Sequence, residues 1–493
     1  MLEKSILYKL KNFAKIIIVI SVVMELAGCS VNPATGNKSF TGFMSLTDEI
    51  KIGRKEHPKI LKEYGGLYKN HAITTYVNKI GNNLANKSEL PNLNWHFNVL
   101  NSPQVNAFAL PGGYVYITRG LMALASNEAE VAGVIAHEIG HITSRHAAQR
   151  YSNSMLAGGI SMATNIFLGS AANEIADLAT RATLKSYSRN QEFEADSLGV
   201  RYLSRGKYNT NAMASFLSKL RAHSQLEAMR NKKDRSSVDQ RSMFSTHPRT
   251  IDRVQRAITN TRGPRLGSRI GTVDYMERIH KLLYGDDPKE GMIKGRSFVH
   301  PKLRFRFNVP LGYQLYNSPN AVIARGPAGS LIQFDLARKP FQGKITDYIL
   351  NIWGQKSNFI NVENINVNGM RGATAVVEIL RKNRVFDLRL TAIRHDEQRI
   401  YRFIFLTPKS QTKILSLGLQ KTTYSLKNIS PIEASKVKPT RISVIPVLKG
   451  DSIYSFSRRM KVYNFKEETF RVLNGLAPSE SVRLGQLVKI IVN

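Results

Sequence analysis

Val131-Ala132-Gly133-Val134-Ile135-Ala136-His137-Glu138-Ile139-Gly140-His141 is the stretch on which the reading of this chain turns. Upstream, Asn127 and Glu130 stand as N-cap and third helical residue, a variant of the capping box that starts a helix. On that helix His137 and His141 are four residues apart and project from one face about 6 Å from each other, a spacing at which two imidazoles can bind one tetrahedral zinc. Glu138 follows the first imidazole and can reach a metal-activated water as general base; the pattern is H-E-x-x-H on a helix. Val131, Val134 and Ile135 bury the helix and give the metal a dry wall.

Two histidines need a third ligand. A metzincin would place Gly at 144 and His at 147, but Ser144 and Ala147 stand there, which excludes that class. A carboxylate from a second helix is the other solution, and Ser188-Arg189-Asn190-Gln191-Glu192-Phe193-Glu194-Ala195-Asp196 offers it. Glu192 and Asp196 share a helical face, while Glu194 points about 160° away from Asp196. Glu192 can take the metal; Asp196 either hydrogen-bonds a ligand imidazole or donates a proton. His146 falls about 140° round from His141 if the helix continues over 127–150, and reads as structural.

These residues belong to a longer run: Asn106-Ala107-Phe108-Ala109-Leu110-Pro111-Gly112-Gly113, Arg119-Gly120-Leu121, the His137–His141 motif, Glu192 to Asp196, and Thr246-His247-Pro248 with Arg253. In this order they resemble the zinc metallopeptidase family that includes the HtpX heat-shock protease, the CAAX prenyl proteases and the periplasmic beta-barrel assembly-enhancing protease. The resemblance covers about residues 40–262. It implies one zinc per chain on His137, His141 and Glu192, with Glu138 as catalytic base and Asp196 as proton donor. It also implies that His247 lies over the metal, steadying an oxyanion or closing the fourth position, and that Arg253 assists electrostatically. The strand predicted at 113–118 has alternating Tyr114, Val115, Tyr116 and Ile117 and reads as half-exposed. Its segment Gly113, Tyr114, Val115 and Tyr116 is a candidate for pairing with an extended substrate.

Outward from this centre, the chain has 493 residues, enough for about three domains. With 42% hydrophobic and 9% aromatic residues it is not a mostly disordered chain. Its single Cys excludes a disulfide framework and Cys-rich metal sites. No uncharged apolar run reaches the ~18 residues of a strong membrane span. The 71 Lys and Arg against 36 Asp and Glu give a net charge of +35. Nucleic acid, an anionic membrane, an acidic wall polymer or simply a solvated basic surface fit that excess. No tract interleaves basic and aromatic residues, so no nucleic-acid partner is predicted.

Lys4, Lys9, Lys11 and Lys15 precede the apolar run Ile16 to Met24, then Leu26-Ala27-Gly28-Cys29. That order is a secretory signal, and its end resembles the bacterial lipoprotein box, which implies acylation of Cys29 and two or more acyl chains for anchoring. Ser30 resembles the outer-membrane-destined class.

The whole is predicted to be a multidomain α+β chain. A lipoprotein signal peptide (1–28) and a polar tether (29–45) precede a mainly helical, gluzincin-type peptidase domain with a small sheet (46–285). Amphipathic segments are expected at 47–64, 127–150 and 174–204, and an uncharged stretch at 152–173 reads as a buried small-residue helix pair or a membrane-touching lid. After a linker at 286–295 comes an α+β domain (296–427) with a mostly antiparallel sheet and a helix near 344–355. A second linker (428–440) leads to a βααβ module (440–493) that resembles a lysin motif, either glycan-binding or a cap that has lost that function. The function expected is a lipid-anchored periplasmic zinc endopeptidase on the outer membrane, acting on unfolded or misassembled envelope proteins. The alternatives are a peptidoglycan-binding scaffold with a structural or latent metal site, and a metal-dependent wall hydrolase.

Overall fold

The structure is a computed structural model and describes residues 29–153, 187–231 and 267–493 apart from 356 and 382, together with 252, 253, 256 and 259. The expectations for the signal peptide, for 152–173 beyond residue 153 and for His247 lie outside the described residues. The first described segment is a hairpin, β1 (Cys29–Val31) and β2 (Lys38–Phe40), with Cys29 opposite Phe40. It corrects the expected tether. The Asn32 side-chain oxygen accepts from the Ala34 and Thr35 backbone amides at 2.9 and 3.3 Å, so the polar residues there make a turn. Ala34 is buried in the main core.

Helix α1 (Leu46–Glu63) starts on a Ser45–Asp48 capping box, and α2 (His71–Ala85) starts on Asn70. Next come strands β3 (His96–Leu100), β4 (Ala107–Leu110) and β5 (Tyr114–Thr118). Their order is β3-β5-β4: β5 pairs parallel with β3 and antiparallel with β4. The strand expected to be half-exposed is therefore central, and Tyr116 is fully buried. Thr118 ends β5 and caps α3 (Arg119–Leu124).

Helix α4 (Glu128–Thr143) carries the H-E-x-x-H residues, and all sixteen of its residues are buried. A helix buried all round is the central rod of its domain. Asn127 accepts from the Glu130 amide at 2.9 Å, as the capping pattern predicts. The Glu130 carboxylate accepts from Ser126 N at 2.7 Å and pairs with buried Lys219 at 2.8 Å, tying the start of α4 to a later helix. Val131, Ile135 and Ile139 are fully buried, each contributing about 1.5–3 kcal/mol. The expected helix over 127–150 stops at Thr143. Arg145 takes a left-handed φ of 54° and is held there by Glu49 Oε1 at 2.8 Å and Met44 O at 2.6 Å. Helix resumes at 146 in a new direction.

Helix α5 (Arg189–Arg205) starts on a Ser188–Gln191 capping box, so the part of 174–204 that is described is helical from 189. Helices α6 (Asn211–Arg230) and α7 (Thr272–Ile279) complete the helical layer. The axes of α4 and α5 approach closely because glycines face the contact. A Cβ on Gly140 would lie 3.1 Å from Ala195 O, and one on Gly199 would lie 2.5 Å from Met213 Cε and 3.3 Å from His137 N.

The expected linker 286–295 is folded. It follows β6 (Leu283–Tyr284) and contains β7 (Met292–Lys294). Asp287 accepts from Asn101 at 2.7 Å and Asp286 from the Ile293 amide at 2.8 Å. Strands β8 (Ser297–His300) and β9 (Phe305–Asn308) follow. Then come β10 (Gln314–Asn317), β11 (Val322–Arg325), β12 (Leu331–Leu336), β13 (Asn361–Val367), β14 (Met370–Arg381), β15 (Arg384–Arg394) and β16 (Ile400–Pro408). They build an antiparallel seven-stranded sheet, β10-β11-β12-β16-β15-β14-β13. Helical segments Ile345–Asp347 and Tyr348–Trp353 and helix α8 (Thr412–Tyr424) accompany it, which matches the antiparallel α+β expectation. Its core is aromatic, with Phe298, Phe305, Phe307, Phe334, Tyr401 and Phe403 all buried. Strand β17 (Lys427–Asn428) adds to β9, and the second expected linker contains a short helix, Pro431–Ser435.

The last segment runs β18 (Thr440–Pro446), α9 (Ile453–Arg459), α10 (Lys466–Asn474) and β19 (Leu487–Val492), the strand–helix–helix–strand order read from the sequence. It is not a free module. β18 lies between β19 and β6 in one sheet, and Ile442, Phe456, Phe470, Val488 and Ile490 belong to the same core as α2, α4 and α5. Fully buried Lys489 donates from Nζ to the carbonyls of Ala123, Leu124 and Ala125 at 2.8, 2.9 and 2.6 Å. Burial, with the charge of Lys219 adding to it, pushes the Lys489 pKa well down; its Nζ nevertheless meets the three carbonyls left open at the C-terminus of α3 and closes that helix. No helix among the described residues is long and apolar enough to cross a membrane.

Candidate metal centre

Helix α4 supplies His137 and His141 on one face, and α5 brings Glu192 against them. The two Nε2 atoms lie 3.1 Å apart. Glu192 Oε2 is 3.7 Å from His137 Nε2, and its Oε1 is 3.6 Å from His141 Nε2. Donors about 2.05 Å from one tetrahedral ion stand about 3.3 Å apart; the two nitrogens and the two carboxylate oxygens lie near that separation, and one ligand atom from each of the three residues lies within 4.8 Å of the other two. Two imidazoles and a carboxylate suit zinc chemically. Among the described residues this is the one group of His, Cys, Asp or Glu so arranged.

Each imidazole must present Nε2 as a lone pair, which requires its proton on Nδ1. For His137 the acceptor is Asp196, with Nδ1 2.9 Å from Oδ1. Arg253 grips the same carboxylate twice, Nε to Oδ2 at 2.8 Å and Nη2 to Oδ1 at 2.7 Å, and its Nη1 contacts Glu192. Burial alone would raise the Asp196 pKa, but the Arg253 charge and hydrogen bonds, with His137, outweigh it and hold the carboxyl well below the usual range. Of the two roles open to Asp196, the geometry displays the imidazole-orienting one.

Behind His141 stands an arrangement that helical spacing alone does not produce. The break at Arg145 turns His146 back, so that its Nδ1 lies 2.8 Å from His141 Nδ1, and its Nε2 lies 3.3 Å from Glu194 Oε2. Tyr187 stacks on the His141 ring, centroids 3.7 Å apart. Glu194, expected to point away from Asp196, thus reaches the second imidazole through a third. The one signal for Tyr187 and Glu194 was their place beside Ser188 and between Glu192 and Asp196.

Burial pushes the Glu138 carboxyl up to about 8; His137 and Arg253 oppose the shift, while Glu192 and Asp196 add to it. Beside His137 and Glu138 an apolar cavity of about 50 Å³ opens between Leu121, Val134, Met213, Phe216, Leu217 and Leu220. Asn106 and Ala107, at the start of β4, also line it. A larger groove of about 870 Å³ runs past Tyr76, Tyr208 and Arg278, and none of the three ligand residues lines it. Gly113, Tyr114, Val115 and Tyr116 do not offer a free backbone edge, because β5 is bonded on both sides. The outer edge of β3 is met by the segment 66–68, with Tyr68 N donating to Val99 O at 2.7 Å and Leu67 bridging Leu100, so among the described residues β4 is the edge strand with no second strand partner. Cys29 lies in β1.

Residues 72–261 match the sequence profile of Peptidase family M48. The Mitochondrial metalloendopeptidase OMA1 of Schizosaccharomyces pombe is 27% identical over 197 residues, 38% of this chain and 57% of that protein. The Beta-barrel assembly-enhancing protease of Escherichia coli K12 is 29% identical over 187 residues, 36% of this chain and 38% of that protein. Among solved structures, cyanobacterial PsbP (CyanoP) from Synechocystis sp. PCC 6803 is similar with a TM-score of 0.23 and 15% identity, over 28% of this chain and 98% of that one. The chain spans somewhat more than half of the first curated relative and under two fifths of the second.

Proposed function

From the premise that residues 72–261 are a domain of peptidase family M48, we propose that this chain is a zinc-dependent endopeptidase that hydrolyses unfolded or misassembled proteins of a bacterial envelope. The observation that carries the reading is the convergence of His137, His141 and Glu192 with Glu138 at the same buried spot. When bound, zinc supplies Lewis acidity that acidifies water and polarises a carbonyl. Glu138, whose carboxyl the positive charge of a bound ion would return toward its ionised form, takes the proton of the attacking water and returns it to the leaving amine. Asp196 and Arg253 keep His137 in the ligating tautomer. The apolar cavity seats a substrate side chain beside Glu138 and excludes bulk water. We assign backbone pairing with the substrate to β4, whose first residue lines that cavity, in place of Gly113 to Tyr116.

The sequence preceding Cys29 supports lipid anchoring at the periplasmic face of the outer membrane, and the protein named for beta-barrel assembly among the relatives supports an envelope setting. The βααβ segment keeps Leu448, Tyr454, Tyr463 and Leu484 exposed, and to this segment we assign peptidoglycan. The test of the enzyme is Glu138→Gln in the full chain. Cleavage of unfolded casein should vanish, as it should when a chelator removes the metal, while zinc binding persists. Undiminished cleavage by the variant refutes the reading.

A further inference from the structure

We propose that His146, Glu194 and Asn32 form a positioning chain that fixes the metal-binding face of His141 and ties it to the N-terminal hairpin. The inference rests on the reading that His137, His141 and Glu192 hold zinc. Two neutral imidazoles meet Nδ1 to Nδ1 at 2.8 Å, so one nitrogen donates and the other accepts. If His141 is to offer Nε2 to a metal, its Nδ1–H donates and His146 Nδ1 accepts. The His146 proton then sits on Nε2, and the acceptor facing it is Glu194 Oε2 at 3.3 Å. A carboxylate acceptor at the far end therefore selects the tautomer of both rings.

Glu194 is itself held. Asn32 Nδ2 donates to its Oε1 at 2.8 Å, and Ser144 Oγ donates to the same oxygen at 3.3 Å. Asn32 is 2% exposed, and its carbonyl oxygen is engaged by the turn it caps, so its amide is aimed by the hairpin itself. Arg201 Nη1 donates to Ala34 O at 2.9 Å and fastens that hairpin to α5. His137 and His141 thus have parallel supports from one helix: Asp196 directly, and Glu194 through His146. The second support alone passes through the segment that begins at Cys29.

The experiment measures zinc affinity of the full chain by competition with a chromophoric chelator, and the visible spectrum of the cobalt-substituted protein, for His146→Phe, His146→Gln, Glu194→Ala and Asn32→Ala. His146→Phe and Glu194→Ala should weaken zinc binding by about 10–100-fold and change the cobalt spectrum. His146→Gln, which can accept from His141 and donate to Glu194, should recover most of the affinity. Asn32→Ala, two contacts removed, should cost about three- to tenfold, the range expected when one hydrogen bond to a charged group is lost and its effect is diluted. A merely structural role would lower the melting temperature and leave the cobalt spectrum and the glutamine rescue unmoved. Wild-type affinity in both Glu194→Ala and Asn32→Ala overturns the inference, and these two sites lie near the edge of the core, so the test survives if a His146 variant fails to fold. If the wild-type chain binds no zinc, the metal-site reading falls, and this one with it.

Discussion

Arg253 is the cation at the centre of the metal site, and its removal gives the most decisive test of how that site is held together. Its guanidinium meets Asp196 through two hydrogen bonds and Glu192 through a third contact, with all three residues buried. Arg253→Met keeps the side chain's length and removes the charge, leaving two carboxylates facing each other out of water. Breaking a buried pair in this way costs about 3–5 kcal/mol. For a domain of this size that corresponds to a fall of about 6–20 °C in melting temperature without metal. A divalent ion replaces part of the missing positive charge, so zinc should raise the melting temperature of the variant by more than it raises the wild type. Arg253→Lys, which keeps the charge and loses the fork, should fall between the two. Calorimetry of the full chain, in chelator and in equimolar zinc, measures both quantities. A loss under about 2 °C in chelator, or equal zinc-induced shifts in the two proteins, would refute the electrostatic account.

Leu217→Ala enlarges the cavity beside Glu138. It should cost about 2–5 kcal/mol of stability and shift cleavage toward larger apolar side chains, read by mass spectrometry of casein products; an unchanged product pattern would remove that cavity from the substrate path. His300 lies among Phe298 and Phe305, where burial, with a smaller effect of Lys302, pushes its pKa down to about 4. Its ring is neutral in the folded protein, while the unfolded chain takes up a proton below about 6.5. Stability contributed by this ring is therefore present above that pH and lost as pH falls toward 4, by on the order of 2 kcal/mol after allowance for solvent screening. The transition of the 296–427 region in His300→Phe should be flatter over that window, and equal acid sensitivity in both proteins would discount the histidine.

The chemistry was legible where it depended on helical spacing. His137, His141, Glu192 and Asp196 could be placed on shared faces because four residues make one turn, and Asn127 announced where the first of those helices begins. What escaped depended on contacts distant in sequence or on a backbone break without a residue signature. Nothing in Ser144-Arg145 marks the left-handed turn that swings His146 behind His141; buried Glu49, a hundred residues earlier, holds it. Tyr114 and Tyr116 alternate as a half-exposed strand should, yet His57 of α1 lies over that face, 2.7 Å from the Tyr116 hydroxyl and 5.2 Å from the Tyr114 ring centroid. Asn32, Thr35 and Asn37 have the composition of a linker, and the hydrogen bonds they make turn that composition into a hairpin. Nothing in the sequence around Lys489 marks it as buried; its carbonyl partners at 123–125 lie more than 360 residues away.

That last contact sets an order of events. Every proposed ligand and the proposed general base lie before residue 200, but the Lys489 amine that stoppers α3, three residues ahead of α4, arrives almost three hundred residues later. A polypeptide released or clipped before β19 would carry all the hydrolytic parts on an unclosed frame. The distant strand thus closes a helix whose sequence was complete hundreds of residues earlier, and a fragment lacking it would leave the carbonyls of 123–125 without that amine.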